Sequence, residues 1–215
     1  MNVHLTIFDL DKTLLKTNIS FKFFLYLYKK NNFDKRSIFK LIYYFIKFKY
    51  FNMDIANLHQ VVFEKFLKNR KYSLFTKDID HFLDKYLDKI FYMPAILELQ
   101  KAMNDNHYIA IFSSSPTFLV EPISKILKVN EFRATKYLFD KDDRFDKIEL
   151  IMDGEKKAKD AIILMKRLGV EKENVSVYSD SIQDIELFEV AHKKIAVSPC
   201  SKLYKLSKKR NWQII

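Results

Sequence analysis

The chain has 215 residues, 48% of them hydrophobic and 30% charged, without Ser/Gly-rich or Pro-rich tracts; this argues against disorder and allows one substantial core with a smaller inserted module. A single cysteine, Cys200, excludes an internal disulfide, and no Cys/His cluster has the spacing of a zinc site. The formal net charge of +11 is unevenly spread: residues 18–53 carry seven Lys and one Arg against one Asp, and hold 13 of the 33 aromatic residues.

The run His4–Leu10 (HLTIFDL) is short, apolar and β-prone, and it predicts a buried strand that delivers Asp9 and Asp11 at its C-terminal end. These aspartates interrupt the apolar run too early for a signal peptide, which with the single cysteine points to the cytoplasm. From Ile19 to about Ile90 the apolar spacing turns helical, as in Phe24, Leu27 and Tyr28, and about four helices are expected. Within them Ile38–Phe51 is rich in apolar residues, but Lys40, Lys47 and Lys49 leave no uninterrupted apolar run longer than Leu41–Ile46, far short of the ~20 residues needed to span a bilayer. The basic aromatic segment has two readings: helices packing their aromatics, or peripheral contact with an anionic membrane, which would place the protein at the inner membrane face. Nucleic-acid binding ranks last, because the aromatics sit at packing intervals.

After Pro94 strands and helices alternate. A helix is predicted over Ala95–Asn104, a strand over Tyr108–Phe112, a helix over Thr117–Leu127, and a β-hairpin over Ala134–Met152 turning at Asp140–Asp143. A helix from about Lys157 to Leu168, a strand at Val175–Tyr178, a helix from near Gln183, a strand at Lys194–Val197 and a helix near Leu203–Arg210 follow. Such alternation implies a three-layer α/β fold with a mostly parallel sheet and an active site at the C-terminal strand ends. Those ends supply Asp9 and Asp11, Ser113, and Asp180 with Asp184, while Lys157 starts a helix. Four carboxylates gathered together require a divalent cation, and an all-oxygen donor set suits Mg²⁺; an ammonium and a hydroxyl beside them suit a phosphoryl group.

In this order FDLDKTL, IAIFSSSP, GEKKAKD and YSDSIQD resemble the four motifs of the haloacid dehalogenase superfamily of aspartate-based phosphatases. The closing segment KIAVSPCSKLYKLSKKRNW is similar to the branch that includes phosphoserine phosphatase and bacterial phosphatidylglycerophosphatase. The resemblance implies a Rossmann-like core of residues 1–17 and 93–215, with 18–92 as an inserted helical cap. It implies Asp9 as nucleophile, Asp11 as acid and base, and Thr13 as support for the nucleophile loop. Asp9, the Asp11 carbonyl and Asp180 would hold Mg²⁺, with Asp184 tuning it. Phosphate would meet Asp9, Leu10, Asp11, Ser113, Ser114 and Lys157, the lysine being taken as Lys157 because it lies twelve residues before Gly169. Three positions depart from the usual pattern: Lys12 and Ser114 stand where many relatives have Gly, and Asn18 where phosphoserine phosphatases carry an acid for the substrate ammonium. The implied activity is hydrolysis of a small phosphorylated metabolite. A lipid phosphate at the membrane surface, or a non-catalytic binding or regulatory role, are the alternatives.

Overall fold

Leu5 and Ile7 point to one side of strand β1 (Leu5–Phe8) and Phe8 to the other, and all are buried. This double burial is what a near-continuous apolar run predicts for the centre of a parallel sheet. The same alternation recurs in β2 (Tyr108–Pro116), where Ile109 and Ile111 join the Phe8 face and Ala110 and Phe112 the Ile7 face. The computed structural model describes residues 3–30, 35–51 and 53–215. Residues 1–2, 31–34 and 52, which the sequence divides between core and cap, lie outside the described residues.

The remaining strands are β3 (Glu131–Phe139), β4 (Phe145–Leu150), β5 (Val175–Ser179), β6 (Lys193–Ala196) and β7 (Gln213–Ile214). Among the described residues they form one sheet ordered β4-β3-β2-β1-β5-β6-β7, parallel throughout except for β4 against β3. Helices α5 (Met93–Asn104) and α6 (Thr117–Ile126) pack on the Phe8 face; α7 (Gly154–Leu168), α8 (Ile185–Val190) and α9 (Ser201–Lys209) pack on the Ile7 face. The fold is thus the three-layer, mostly parallel α/β class read from the sequence.

Some boundaries differ from the sequence reading. Strand β3 begins at Glu131 because its first residues pair in parallel with β2, Ala110 opposite Glu131, before the hairpin starts. The β3–β4 turn falls at the expected aspartates, with Asp140 Oδ1 accepting the N–H groups of Asp142 and Arg144, both at 2.9 Å. Helix α7 begins at Gly154, since the Asp153 side chain accepts the Lys156 N–H at 2.8 Å and caps it. The two-residue edge strand β7 had no expectation.

Between β1 and β2 run α1 (Ile19–Lys29), α2 (Lys35–Tyr50), α3 (Ile55–Val62), a π-helical turn (Phe63–Leu67) and α4 (Ser73–Ile90). Asn18 caps α1 through its side chain to the Phe21 N–H at 2.8 Å, and Asp54 caps α3 to the Asn57 N–H at 2.6 Å. Phe23, Leu27, Phe66 and Phe82 bury themselves in the same apolar cluster as Phe8 and Leu119, so these helices share a core with one sheet face. The chain after the π-helical turn is stitched to the β3–β4 hairpin: Asn69 N–H donates to Phe145 C=O at 2.8 Å, Phe145 N–H to Arg70 C=O at 3.0 Å, and Tyr72 N–H to Asp143 C=O at 2.8 Å. Among the described residues no helix is long and apolar enough to cross a membrane.

Candidate active site

The ladder that holds β1 beside β5 continues one step past the strand, Asp9 N–H donating to Tyr178 C=O at 2.9 Å, and thereby fixes where the Asp9 carboxylate emerges. The chain then turns sharply. Lys12 takes the left-handed conformation (φ 59°), the geometry that favours glycine at this position, and Leu10 C=O accepts the N–H groups of Thr13 and Leu15 at 3.3 and 3.0 Å. Leu10 itself is fully buried. Thr13 ties this loop to the end of β5 by accepting the Asp180 N–H on its hydroxyl at 3.0 Å.

Helix α7 brings Lys157 across to these strand ends. Its buried ammonium lies 2.7 Å from Asp9 Oδ1 and 2.9 and 3.0 Å from the Asp184 oxygens. Ser179 Oγ donates to Asp184 Oδ2 at 2.6 Å, which orients that carboxylate toward the lysine. The neighbouring Lys156 turns away to Asp160 Oδ1 at 2.7 Å, so of the two lysines it is Lys157 that reaches the carboxylates. Burial alone would lower the Lys157 pKa, but the Asp184 and Asp9 charges more than offset it and raise it above the ordinary lysine range. Asp9 is pushed well above the usual carboxylate range by burial, helped by Asp184, Asp180 and Asp11 and opposed by Lys157.

Asp11 accepts two hydrogen bonds at 2.6 Å, from Ile19 N–H to Oδ1 and from Ser115 Oγ to Oδ2. Desolvation still raises its pKa, against those bonds and the nearby Lys157 and Lys12. The serine run divides its labour in a way the motif does not disclose. Ser113 is fully buried, its hydroxyl accepting the Ser115 N–H at 3.1 Å, and it does not line the cavity above Asp9; Ser114 and Ser115 do. Ser114 Oγ turns to Met152 C=O at 2.7 Å. Ser115, which also meets Ser20 Oγ at 2.8 Å, was missed, since which hydroxyl faces Asp11 depends on the irregularity in β2 between Ser113 and Pro116. A buried pair in the same cavity, His59 Nδ1 and Tyr137 Oη at 2.7 Å, carried no sequence signal because its partners are far apart in the chain.

The donor set fits a hard divalent cation. The buried Asp180 carboxylate has no hydrogen-bond partner among the described residues, and burial first of all, then Asp184 and Asp11, against the charges of Lys12 and Lys157, push its pKa up to about 7. A cation would restore its charge. Among the described residues no three acidic, histidine or cysteine side chains form a finished metal cage, and the Lys157 ammonium stands against Asp9 and Asp184. Mg²⁺ needs no such cage; one or two carboxylates with carbonyl and water oxygens suffice.

Solved structures of other proteins share the fold. A protein of unknown function from Bordetella pertussis Tohama I has a similar structure (TM-score 0.87, 18% identity, 100% of this chain and 99% of that one). So has a phosphoserine phosphatase solved as an analogue of its phospho-aspartyl intermediate (TM-score 0.72, 16% identity, 100% and 93% of the chains). A phosphoserine phosphohydrolase-like protein from Francisella tularensis subsp. tularensis SCHU S4 is likewise similar (TM-score 0.71, 19% identity, 100% and 95%). No curated protein sequence matches significantly. These structures share the fold. Residues 6–189, which include every carboxylate of the site, match the haloacid dehalogenase-like hydrolases, and the chain belongs to that family.

Proposed function

We propose that the chain hydrolyses phosphate monoesters of small molecules in a Mg²⁺-dependent reaction through a phosphorylated Asp9. The observation that carries this reading is the buried contact of Lys157 Nζ with Asp9 Oδ1 at 2.7 Å: an ammonium held against the attacking carboxylate also stands where the oxygens of an incoming phosphoryl group gather charge. The likeness to a phosphoserine phosphatase solved with a phospho-aspartyl analogue supports it.

An Asp9 carboxylate oxygen attacks phosphorus, and the bond to the leaving alcohol breaks with its electron pair on the alcohol oxygen, which takes a proton from Asp11. The raised pKa of Asp11 favours the protonated form this step needs. Asp11 then removes a proton from water, whose oxygen bonds to phosphorus as the acyl phosphate opens, releasing inorganic phosphate and restoring Asp9. Asp9, Asp180 and the Asp11 carbonyl would hold Mg²⁺, which when bound supplies positive charge against the phosphoryl oxygens. Asp184 keeps Lys157 aimed at Asp9. Ser113 shapes its loop from within, so that Ser114 and Ser115 present the loop to the substrate. Residues 18–92 act as the cap that excludes water.

The test is turnover of an aryl phosphate with and without chelator, in wild type and in Asp9→Asn and Asp11→Asn. Both variants lose kcat by on the order of a thousandfold or more. No phosphoenzyme forms in Asp9→Asn, whereas Asp11→Asn accumulates it from a leaving group that needs little protonation. Substantial turnover by Asp9→Asn, or full activity in excess chelator, contradicts the mechanism.

A further inference from the structure

The cavity above Asp9 has a volume of about 540 Å³, far more than a phosphoryl group occupies. Asp9, Asp11, Lys12 and Lys157 line it from the β1 end and α7, while Phe24, Leu41, Phe45, Phe48, Leu58 and Val62 line it from α1, α2 and α3. Three of the polar groups on these cap elements are committed. Asn18 Oδ1 caps α1, both Asp54 oxygens are taken by Asn57, and His59 is paired with Tyr137. A sugar, amino-acid or nucleotide leaving group held against these apolar side chains would lose hydrogen bonds to water that they cannot replace.

Helix α2, which lends Leu41, Phe45 and Phe48 to this lining, has a second apolar face. Leu41, Phe45 and Phe48 face the cavity. At 100° per residue, Phe39, Tyr43, Ile46 and Tyr50 form a stripe on the opposite side, and they are 70, 52, 44 and 66% exposed. The sequence of α2 contains four lysines and one arginine and no acid. An exposed stripe of aromatic and apolar side chains on a helix whose charged residues are all basic complements an anionic lipid surface, where the rings enter the headgroup boundary and the lysines meet phosphates.

We propose, building on the phosphatase reading, that the substrate is the phosphate monoester of a long-chain apolar alcohol, taken from an anionic bilayer on which α2 lies. The phosphate meets Asp9 and Lys157, and the chain runs between α1, α2 and α3.

The test uses the wild-type protein with Mg²⁺ and two sets of probes. In the first, p-nitrophenyl phosphate, O-phosphoserine and linear alkyl phosphates from ethyl to decyl are compared below their micelle concentrations. The expected result is a kcat/KM that climbs by about threefold to fourfold per methylene, with O-phosphoserine among the poorest substrates. A flat or falling series with p-nitrophenyl phosphate still hydrolysed overturns this proposal and leaves the phosphatase reading standing. No hydrolysis of any ester overturns both. In the second, sedimentation with phosphatidylglycerol vesicles at low salt pulls the protein down, with loss of binding at high salt and none to phosphatidylcholine alone. A rising alkyl series without vesicle binding removes the bilayer as the source, and vesicle binding with a flat series removes the apolar substrate.

Discussion

His59 on α3 is a buried imidazole whose only described side-chain partner is Tyr137 Oη at 2.7 Å, and its state depends on pH. Burial lowers its pKa to about 4, against the opposing pull of the Ser114 backbone. In the unfolded chain the same ring takes up a proton near pH 6.5, so between pH 6.5 and 4 the unfolded state binds more protons and stability falls as pH falls. The whole window is worth on the order of 3 kcal/mol, about half of it reached by pH 5. Urea unfolding at pH 7.5, 6 and 5 should show the decline in wild type and a shallower one in His59→Gln, which keeps a polar partner for Tyr137 but does not titrate. Equal declines would place the pH dependence elsewhere. Sequence alone could not disclose this pair, whereas Asp9, Asp11, Lys157, Asp180 and Asp184 were legible because each sits where an apolar run ends or a helix begins. Ser115 was not, since three consecutive serines look alike until the bend in β2 decides which one meets Asp11.

Among the elements, α7 is positioned by the absence of a single methyl group. A Cβ at Gly154 would lie 1.9 Å from the backbone oxygen of Gln183, in the 3₁₀ turn Ile182–Asp184. Helix and turn carry the two partners Lys157 and Asp184, so their spacing depends on this close approach. Gly154→Ala should force them apart at a cost of about 1–3 kcal/mol, lowering Tm by several degrees and aryl phosphate turnover by at least about tenfold, the equivalent of 1.4 kcal/mol in the barrier. Gly169, which ends the same helix with φ 64°, has nothing near its missing Cβ. Gly169→Ala should therefore cost only the left-handed strain of about 1–2 kcal/mol and leave turnover intact; calorimetry beside kinetics on both variants checks the contrast. Helices and central strands were readable to within a few residues because their periodicity is sustained. Strand β7 was not, because two residues at a sheet edge carry no period, and their pairing with Ile195 and Ala196 is purely tertiary.

At the scale of the whole molecule, the sequence divides the chain into a core and a helical insertion at 18–92, and a mostly parallel sheet follows from alternating strands and helices, although the strand order does not. Contacts between distant segments did not show in any local pattern. The pairing of Asn69, Arg70 and Tyr72 with Asp143 and Phe145 is such a contact, and Arg144 adds a hydrogen bond from its guanidinium to Asn69 C=O at 2.9 Å. It splits the insertion in two: α4 is anchored through its N-terminal approach to an arm of the sheet, whereas among the described residues α1 to α3 show no such backbone seam with the sheet. Amide hydrogen exchange read by NMR makes the division measurable, since protons trapped in one cooperative unit leave together. The amides of Asn69, Tyr72 and Phe145 should exchange at a common slow rate, with those of α2 released orders of magnitude sooner. Matching rates across 18–92 would mean that the insertion breathes as one body. With unequal rates, the seam is the fixed jamb of a doorway, and α1 to α3, which line the cavity over Asp9, are the part of its frame that gives first.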